Sequence, residues 1–325
     1  MASEETIAKE EPIALEYTGE RMVPEHVRDD LIFYEHYSRY IFASQCLQEK
    51  EVLDIACGAG YGSDLILTNG ARQVIGVDVD EKAVLYAKHK YGRQGIDFRV
   101  GNAQQIPLPD NSVDAIVSFE TIEHLDDYKL FVAEIRRVLR DDGIVIISTP
   151  NATVFPGNDF HTKEFEIEEF RGIFSNIFKN IQIFYQNNML ASGITTDALL
   201  NQDELTKEYG IRTYRSGIMD LNESMYILAV CSDGELPGFE ECMLLDGGKE
   251  LRKLNRNIKD LDTDLREITG LKAEMDERYR LINRELHEAL CEIDRLHVSV
   301  SWRISRPVRM VRPAIHRIAR ILKKI

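Results

Sequence analysis

Paired cysteines are the first thing this chain lacks. Its five cysteines, Cys46, Cys57, Cys231, Cys242 and Cys291, are odd in number and form no CxxC pair. That excludes a disulfide framework and a CxxC redox or zinc motif. No apolar run approaches the roughly 18 residues needed to cross a bilayer, and no N-terminal apolar segment reads as a signal peptide. The expected location is therefore the cytoplasm, with membrane contact only peripheral, at the inner face of the cell membrane. Linear spacing of His, Cys and Asp shows no pattern that demands a metal, so no metal ligands are expected, with a divalent ion held by scattered carboxylates left open. Acidic residues are absent from one end: residues 301–325 hold eight Arg or Lys and no Asp or Glu, leaving −23 on residues 1–300 against −15 overall. The body repels polyanions and no aromatic-basic platform accompanies the tail, which argues against nucleic acid as a partner. At 325 residues the chain can bury one generous core or two modest ones.

Between residues 51 and 150, short β-rich runs alternate with helical patterns. Glu51–Ala56, Gln73–Asp78, Asp97–Gly101, Ser112–Glu120 and Gly143–Pro150 read as strands, several of them continuously apolar as buried parallel strands are. Glu81–Tyr91 and Asp127–Arg140 carry apolar residues at spacings of three and four with charges between. A βαβ series of this kind gives an α/β fold: a Rossmann-like, mostly parallel sheet of seven strands with helices on both faces. Asn180–Gln186 and Glu223–Ser232 are expected to add an antiparallel pair at its edge, with residues 187–222 between them as an acceptor-site insertion.

The chemistry gathers at the carboxyl ends of these strands. The first turn reads Asp54-Ile-Ala-Cys-Gly58-Ala-Gly60-Tyr-Gly62, where glycines let backbone N–H groups approach a ligand without Cβ obstruction. Asp78 ends the second strand, where a carboxylate accepts both hydroxyls of a ribose. A dinucleotide fingerprint wants a glycine at position 63, where Ser63 stands, and here an acid precedes the loop.

At these residues the chain resembles the class I S-adenosylmethionine-dependent methyltransferases, in the broad group whose first motif reads D-x-x-x-G-x-G (type 11-like). The match lies on Asp54, Gly58 and Gly60, with Asp78 at the ribose position, and extends over about residues 15–232. It implies S-adenosyl-L-methionine as cofactor. Gly101-Asn-Ala follows where the group usually has Gly-Asp-Ala, so Asn102 and Ala103 stand at the adenine position, although a plain turn role for Asn102 is equally open. Phe119-Glu-Thr-Ile-Glu-His-Leu125 is similar to the fourth-strand exit, with Phe119 beside the cofactor and His124 toward the reaction site, or else at a helix start. The run Tyr34–Tyr40 is similar to the helix that closes over the cofactor. Arg39 within it pairs either with the methionine carboxylate or in a surface salt bridge. His161 lies after the fifth strand, where relatives place acceptor-site residues, with a capping or loop role as the alternative. His124 and His161 are the two candidate catalytic bases for a hydroxyl acceptor.

Taking Leu251 as position a, the a and d sites run through Leu254, Ile258, Leu261, Leu265, Ile268, Lys272, Met275, Tyr279, Ile282, Leu286, Ala289, Ile293, Leu296 and Val300, and all but Lys272 are apolar. This predicts a long coiled coil that joins copies of the chain through residues 251–300, as dimer or trimer, despite Gly270. Pro307 and Pro313 are expected to interrupt the helix, after which Ile315, Ile318, Ala319, Leu322 and Ile325 share one face against Arg317, Arg320, Lys323 and Lys324. Such a basic amphipathic tail fits a membrane surface, with Trp302 as anchor. The stretch Ser301–Arg309 resembles the tail found on bacterial surface-polysaccharide glycosyltransferases and methyltransferases.

The expected organisation is an N-terminal segment 1–30, a methyltransferase domain 31–235, a linker 236–248, a coiled coil 249–300 and a tail 301–325. The expected activity is O-methylation of a sugar hydroxyl on a lipid-linked, O-antigen-like surface glycan. The Thr18-Gly-Glu-Arg21 and Asp159–Phe170 segments resemble methyltransferases of that setting; the further expectation is that methylation ends chain growth and that the tail meets the membrane or the glycan-assembly enzymes. Two other readings stand beside it: a methyltransferase for a small lipid or quinone-like acceptor, and a coiled-coil scaffold carrying a remnant fold.

Overall fold

In the computed structural model, residues 15, 21–27, 30–158, 160–189, 220–244, 249–298 and 308–323 are described. The Thr18–Glu20 part of the N-terminal motif, Asp159, most of the 187–222 insertion, Trp302 and Pro307 lie outside them. The chain divides into two units, residues 1–250 and 251–325.

The first unit opens with helices α1 (Pro24–Val27) and α2 (Leu31–Ser44). The alternation then runs β1 (Glu51–Ile55), α3 (Tyr61–Thr68), β2 (Gln73–Asp78), α4 (Glu81–Tyr91), β3 (Ile96–Val100), β4 (Val113–Ser118), α5 (Tyr128–Val138), β5 (Leu139–Pro150), α6 (Ile167–Ser175), β6 (Asn180–Gln186) and β7 (Tyr226–Ser232). The seven strands lie in the order β3-β2-β1-β4-β5-β7-β6. The first five are parallel, and β7 runs antiparallel to both β5 and β6. The edge pair expected from sequence is present, with β7 inserted between β5 and β6. Leu139 and Arg140, expected to end a helix, instead start β5, because Leu139 pairs with Val113.

Both faces of the sheet are buried, which explains why its strands read as continuous apolar runs. Successive residues of β5 alternate between the two layers: Ile144 and Ile146 join Phe33, Tyr40 and Phe42 of α2, while Val145 and Ile147 join Phe131 and Ile135 of α5 and Phe170 and Phe174 of α6. Each such side chain contributes about 1.5–3 kcal/mol on burial. Helix starts are set by acids: Asp80 accepts from Lys82 N (2.9 Å), and Asp127 accepts from Lys129 N (3.0 Å) and Leu130 N (3.3 Å).

Part of the expected linker packs on this unit. Phe239 stacks on Phe42 at 4.9 Å, and Gln45 and Glu240 exchange two hydrogen bonds of 3.0 and 2.8 Å. Residues 245–248 lie outside the described residues.

The second unit holds α7 (Lys249–Val298), one uninterrupted helix of 50 residues, about 75 Å long at 1.5 Å per residue. Gly270 sits inside it. Helix α8 (Val308–Leu322) contains Pro313, which does not stop it as expected. A proline in a helix forfeits one backbone hydrogen bond, and α8 is held from outside by packing on the C-terminal end of α7. Arg317 bridges Glu288 (3.2 Å) and Glu292 (3.5 Å), and Ala289, Ala314 and Ile321 are buried. Ala314, Ile318 and Ile321 face the contact, whereas Ile315, Ala319 and Leu322 remain exposed. The α7 stripe divides likewise: Ile258, Leu261, Leu265, Ile268, Met275 and Tyr279 are exposed, while Ile282, Leu286, Ala289 and Ile293 are at least partly covered. No described helix is long and apolar enough to cross a membrane.

Candidate functional site

Chain direction across the sheet reverses at β1, which has β2 on one side and β4 on the other. Open α/β sheets bind ligands in the crevice outside the strand ends at such a point. Here that crevice is bounded by the turn after β1, the end of β2 and the segment after β4. Two non-glycine residues stand in left-handed backbone conformation at its mouth, Ala56 (φ 63°) after β1 and Glu120 (φ 51°) after β4. Such strain collects at functional sites.

Gly58 and Gly60 make the turn with φ of 51° and 83°. A Cβ on Gly58 would meet only Arg21 Cγ at 3.7 Å, so this backbone faces open space, whereas one on Gly60 would come within 2.6 Å of Ala87. Gly62, the last glycine of the turn, is the most constrained: a Cβ there would lie 2.0 Å from the Tyr40 ring. That close approach lets α2 lie against the start of α3.

Asp78 is buried, and its carboxylate accepts from Gly58 N at 2.8 Å and from Asp80 N at 2.9 Å. It ties the glycine turn to the end of β2 and retains lone pairs for a ligand. Asp54 works differently. Its oxygens accept from Ser63 Oγ (2.6 Å) and the Tyr40 hydroxyl (3.2 Å), so it braces α2 and α3 against β1 from beneath the turn. Burial raises its pKa to about 7, with Asp78 adding to the rise and the two hydroxyl hydrogen bonds opposing it. In the unfolded chain this acid ionises in the ordinary range near 3.8. Below that range both states hold the proton. Between it and about 7 the folded state alone holds it, so folding stability falls as pH rises through this window. Denaturant unfolding at several pH values should show that decline, and Asp54→Asn should flatten it; an unchanged slope would mean Asp54 is ionised in the native state.

Asn102 uses its Oδ1 to accept from Gln104 N (2.8 Å), which is the turn role, and leaves its amide group on an exposed side chain. Ala103 beside it is buried. Phe119 is buried edge-on against Tyr40 at 5.0 Å. Arg39 lies deep, 1 % exposed, so the surface salt bridge is ruled out. Its Nη1 stands 2.8 Å from Glu120 Oε1 and its guanidinium lies 4.5 Å over the Tyr226 ring. The Glu120 contact is a close ion pair without a directed hydrogen bond, and Nε, Nη1 and Nη2 all lack an acceptor in hydrogen-bonding geometry. Glu120 Oε1 in turn accepts from Ser148 Oγ at 2.7 Å.

Sequence reasoning missed the latch that fixes α2. Glu35, buried, accepts from the Tyr226 hydroxyl (2.8 Å) and from Asn188, while Gln186 Nε2 donates to Glu35 O (2.8 Å) and Ser38 Oγ (2.9 Å). Beside it His36 Nδ1 meets the Tyr61 hydroxyl at 2.8 Å. Burial, and then Arg39, push the His36 pKa well down.

The fold brings together the two histidines proposed as bases. His124 ends a 3-10 turn (Ile122–His124), and its ring packs edge-on to His161 with centroids 5.0 Å apart. His124 Nδ1 lies 3.0 Å from Phe160 O, and His161 Nε2 lies 3.0 Å from Asn158 Nδ2. The two segments are pinned by Thr162 N (2.8 Å) and Lys163 N (3.1 Å), both donating to Glu123 O. Glu123 completes the group: one ligand atom from each of Glu123, His124 and His161 lies within 4.8 Å of the others. Linear spacing hides this set because 37 residues separate the histidines.

Comparison with known proteins agrees with this geometry. The profile of the methyltransferase domain family matches residues 53–147. The chain is 41% identical over 183 residues to a probable S-adenosylmethionine-dependent methyltransferase of Mycolicibacterium smegmatis, covering 50% of this chain and 70% of the relative. A probable S-adenosylmethionine-dependent methyltransferase of Mycobacterium tuberculosis is 42% identical over 164 residues, covering 49% of this chain and 59% of the relative. A ubiquinone biosynthesis O-methyltransferase of Agrobacterium fabrum is 30% identical over 145 residues, covering 44% and 53%. The chain thus spans little more than half the length of these last two. With the glycine turn, Asp78 and the seven-stranded sheet all in register, the chain belongs to the S-adenosylmethionine-dependent methyltransferases, and S-adenosylmethionine is its cofactor.

Proposed function

We propose that the chain is an O-methyltransferase for a sugar hydroxyl of a lipid-linked surface glycan, acting as an oligomer at the inner face of the membrane. The observation that carries oxygen as the acceptor atom is the His124–His161 pair after β4 and β5, with centroids 5.0 Å apart.

The residues present fit the cofactor. The buried guanidinium of Arg39, with N–H groups lacking acceptors, suits the methionine carboxylate. Asp78 suits the ribose hydroxyls, Gly58 and Gly60 leave room for close backbone approach, and Asn102, Ala103 and Phe119 would flank the adenine. S-adenosylmethionine, when bound, supplies a methyl group already activated on a sulfonium. The chain has two tasks: to align the acceptor oxygen, where proximity is worth up to about 7–11 kcal/mol, and to receive its proton. An imidazole whose Nδ1–H is held by Phe160 O presents a lone pair on Nε2, as a general base requires. His124→Gln and His161→Gln should each lower turnover, by up to about 10²–10⁴-fold, with cofactor affinity retained. Unchanged turnover in both would remove the base role.

The glycan reading draws on the second unit. The exposed stripe from Ile258 to Tyr279 suits a second copy of the chain, and the exposed Ile315, Ala319 and Leu322 beside Arg320 and Lys323 suit an anionic membrane surface. The likeness to a ubiquinone biosynthesis O-methyltransferase favours the second reading, a quinone-like or lipid acceptor. Incubating the protein with methyl-labelled cofactor and membrane extracts separates the two. Label in glycan from glycan-producing cells only supports the first reading; label in a lipid or quinone fraction from both kinds of cell replaces it with the second.

A further inference from the structure

We infer that Glu123, His124 and His161 form a binding site for one divalent transition-metal ion beside the cofactor crevice. Three observations converge. The ligand atoms of the three side chains lie within 4.8 Å of one another, although they come from two distant parts of the chain. Metal–ligand bonds of about 2.0–2.2 Å allow ligand pairs up to about 4 Å apart, so small side-chain rotations close the set. Two imidazoles and one carboxylate form the donor set of Mn²⁺, Fe²⁺, Co²⁺ and Zn²⁺ rather than of Mg²⁺ or Ca²⁺.

The second observation is the state of Glu123. It is 1 % exposed; Oε2 accepts from Thr149 Oγ1 at 3.1 Å, and Oε1 has no hydrogen-bond partner. A buried carboxylate oxygen without a donor is costly, and a cation is the partner that satisfies it. Burial, with Glu120 beside it, raises the Glu123 pKa. Glu120 stays outside the ligand set, since Arg39 and Ser148 hold its Oε1.

The third is the support around the ligands. His124 Nδ1 meets the Phe160 carbonyl, the outer-shell contact that fixes the tautomer and orientation of metal-binding histidines. The segment bearing His161 is tied to the segment bearing Glu123 and His124 by two backbone hydrogen bonds to Glu123 O, and Thr162 Oγ1 donates to His124 O at 3.3 Å. The Asn158 amide at His161 Nε2 makes a neutral hydrogen bond, weaker than a metal–imidazole bond.

Three protein ligands leave coordination positions open. Resting on the O-methyltransferase reading, those positions would take the oxygens of adjacent hydroxyls on the acceptor. The ion then lowers the pKa of the reacting hydroxyl: its proton passes to solvent, its oxygen forms the new bond to the methyl carbon, and the electron pair of the broken C–S bond stays on sulfur. With the ion bound the two histidines are ligands, and the base role given to them above belongs to the metal-free chain.

The test is titration of the chelator-treated full chain with Co²⁺, followed by visible d–d absorption, and with Mn²⁺, followed by loss of its free-ion magnetic resonance signal. One ion per chain is expected, with affinity lowered at least tenfold in Glu123→Gln and in His161→Gln. Calorimetry with S-adenosylmethionine reports on each variant's fold and should give unchanged affinity. Failure of either metal to bind, or equal binding in wild type and both variants, overturns the site while leaving the methyltransferase assignment intact. Loss of cofactor binding in the wild type would instead count against the reading of the crevice.

Discussion

Asp78→Ala will weaken S-adenosylmethionine binding by about 10²–10⁴-fold. A hydrogen bond to a charged acceptor contributes about 1.5–3 kcal/mol, two ribose hydroxyls give twice that, and each 1.4 kcal/mol is tenfold in affinity. The same carboxylate also accepts from Gly58 N and Asp80 N at 2.8 and 2.9 Å, so its removal slackens the glycine turn and moves the loss toward the upper end. Asp78→Asn keeps one acceptor oxygen and should fall between wild type and alanine. Calorimetry measures the series directly, and a loss smaller than tenfold in Asp78→Ala would remove Asp78 from the ribose position.

Arg39→Met will destabilise the cofactor-free protein by about 3–5 kcal/mol, because it strands the Glu120 carboxylate in a site where the pair is buried together. Arg39 is 1 % exposed and Glu120 16 % by side chain, so water screens neither charge well. The double variant Arg39→Met/Glu120→Gln should regain part of that loss, since the uncompensated charge is gone, and the difference between the two is the coupling of the pair. Chemical denaturation without cofactor reads both. If Arg39→Met costs less than about 1 kcal/mol, the loss lies in the range of exposed pairs and the ion pair does not anchor α2. On the proposed pairing of Arg39 with the carboxylate of the methionine moiety, the same substitution should also reduce cofactor affinity.

These two residues mark what a linear reading of the chain reaches. The place of Asp78 was legible because it depends on local order: a strand of continuous apolar residues, an acid at its end, and a glycine turn one βα unit earlier. The strands, the edge pair β6 and β7 and the glycine turn are legible for the same reason. Arg39 was legible as a candidate but its depth was not, because burial follows from Tyr226 and Glu120, residues 81 and more positions away. The Glu35–Tyr226 latch spans 191 residues and carries no local signal. Glu123 was overlooked because an acid in a segment after a strand ordinarily faces water. Only the return of residues 160–165 over it, through Thr162 N and Lys163 N, closes it off. Asp54 belongs to the motif, yet its two hydroxyl partners make it a brace under the turn.

In the second unit, periodicity gave the long helix and its stripe but misjudged α8. Pro313 reads as a stop, and Ala314 is too small to weigh in a pattern of apolar residues, yet it is buried where Ile315 is exposed. Small residues let two helices approach closely, and Ala289 of α7 and Ala314 of α8 are both buried.

That packing shortens the length of α7 on which another molecule can grip. Among the residues whose exposure is described, the bare stripe of α7 extends from Ile258 to Tyr279, about 33 Å at 1.5 Å per residue. On the proposed pairing of copies, a seam of three heptads would hold by mass action rather than by permanence. Pairing along it would then track how many copies crowd a given surface, so that confinement in two dimensions, not synthesis of a tighter zipper, sets the fraction assembled.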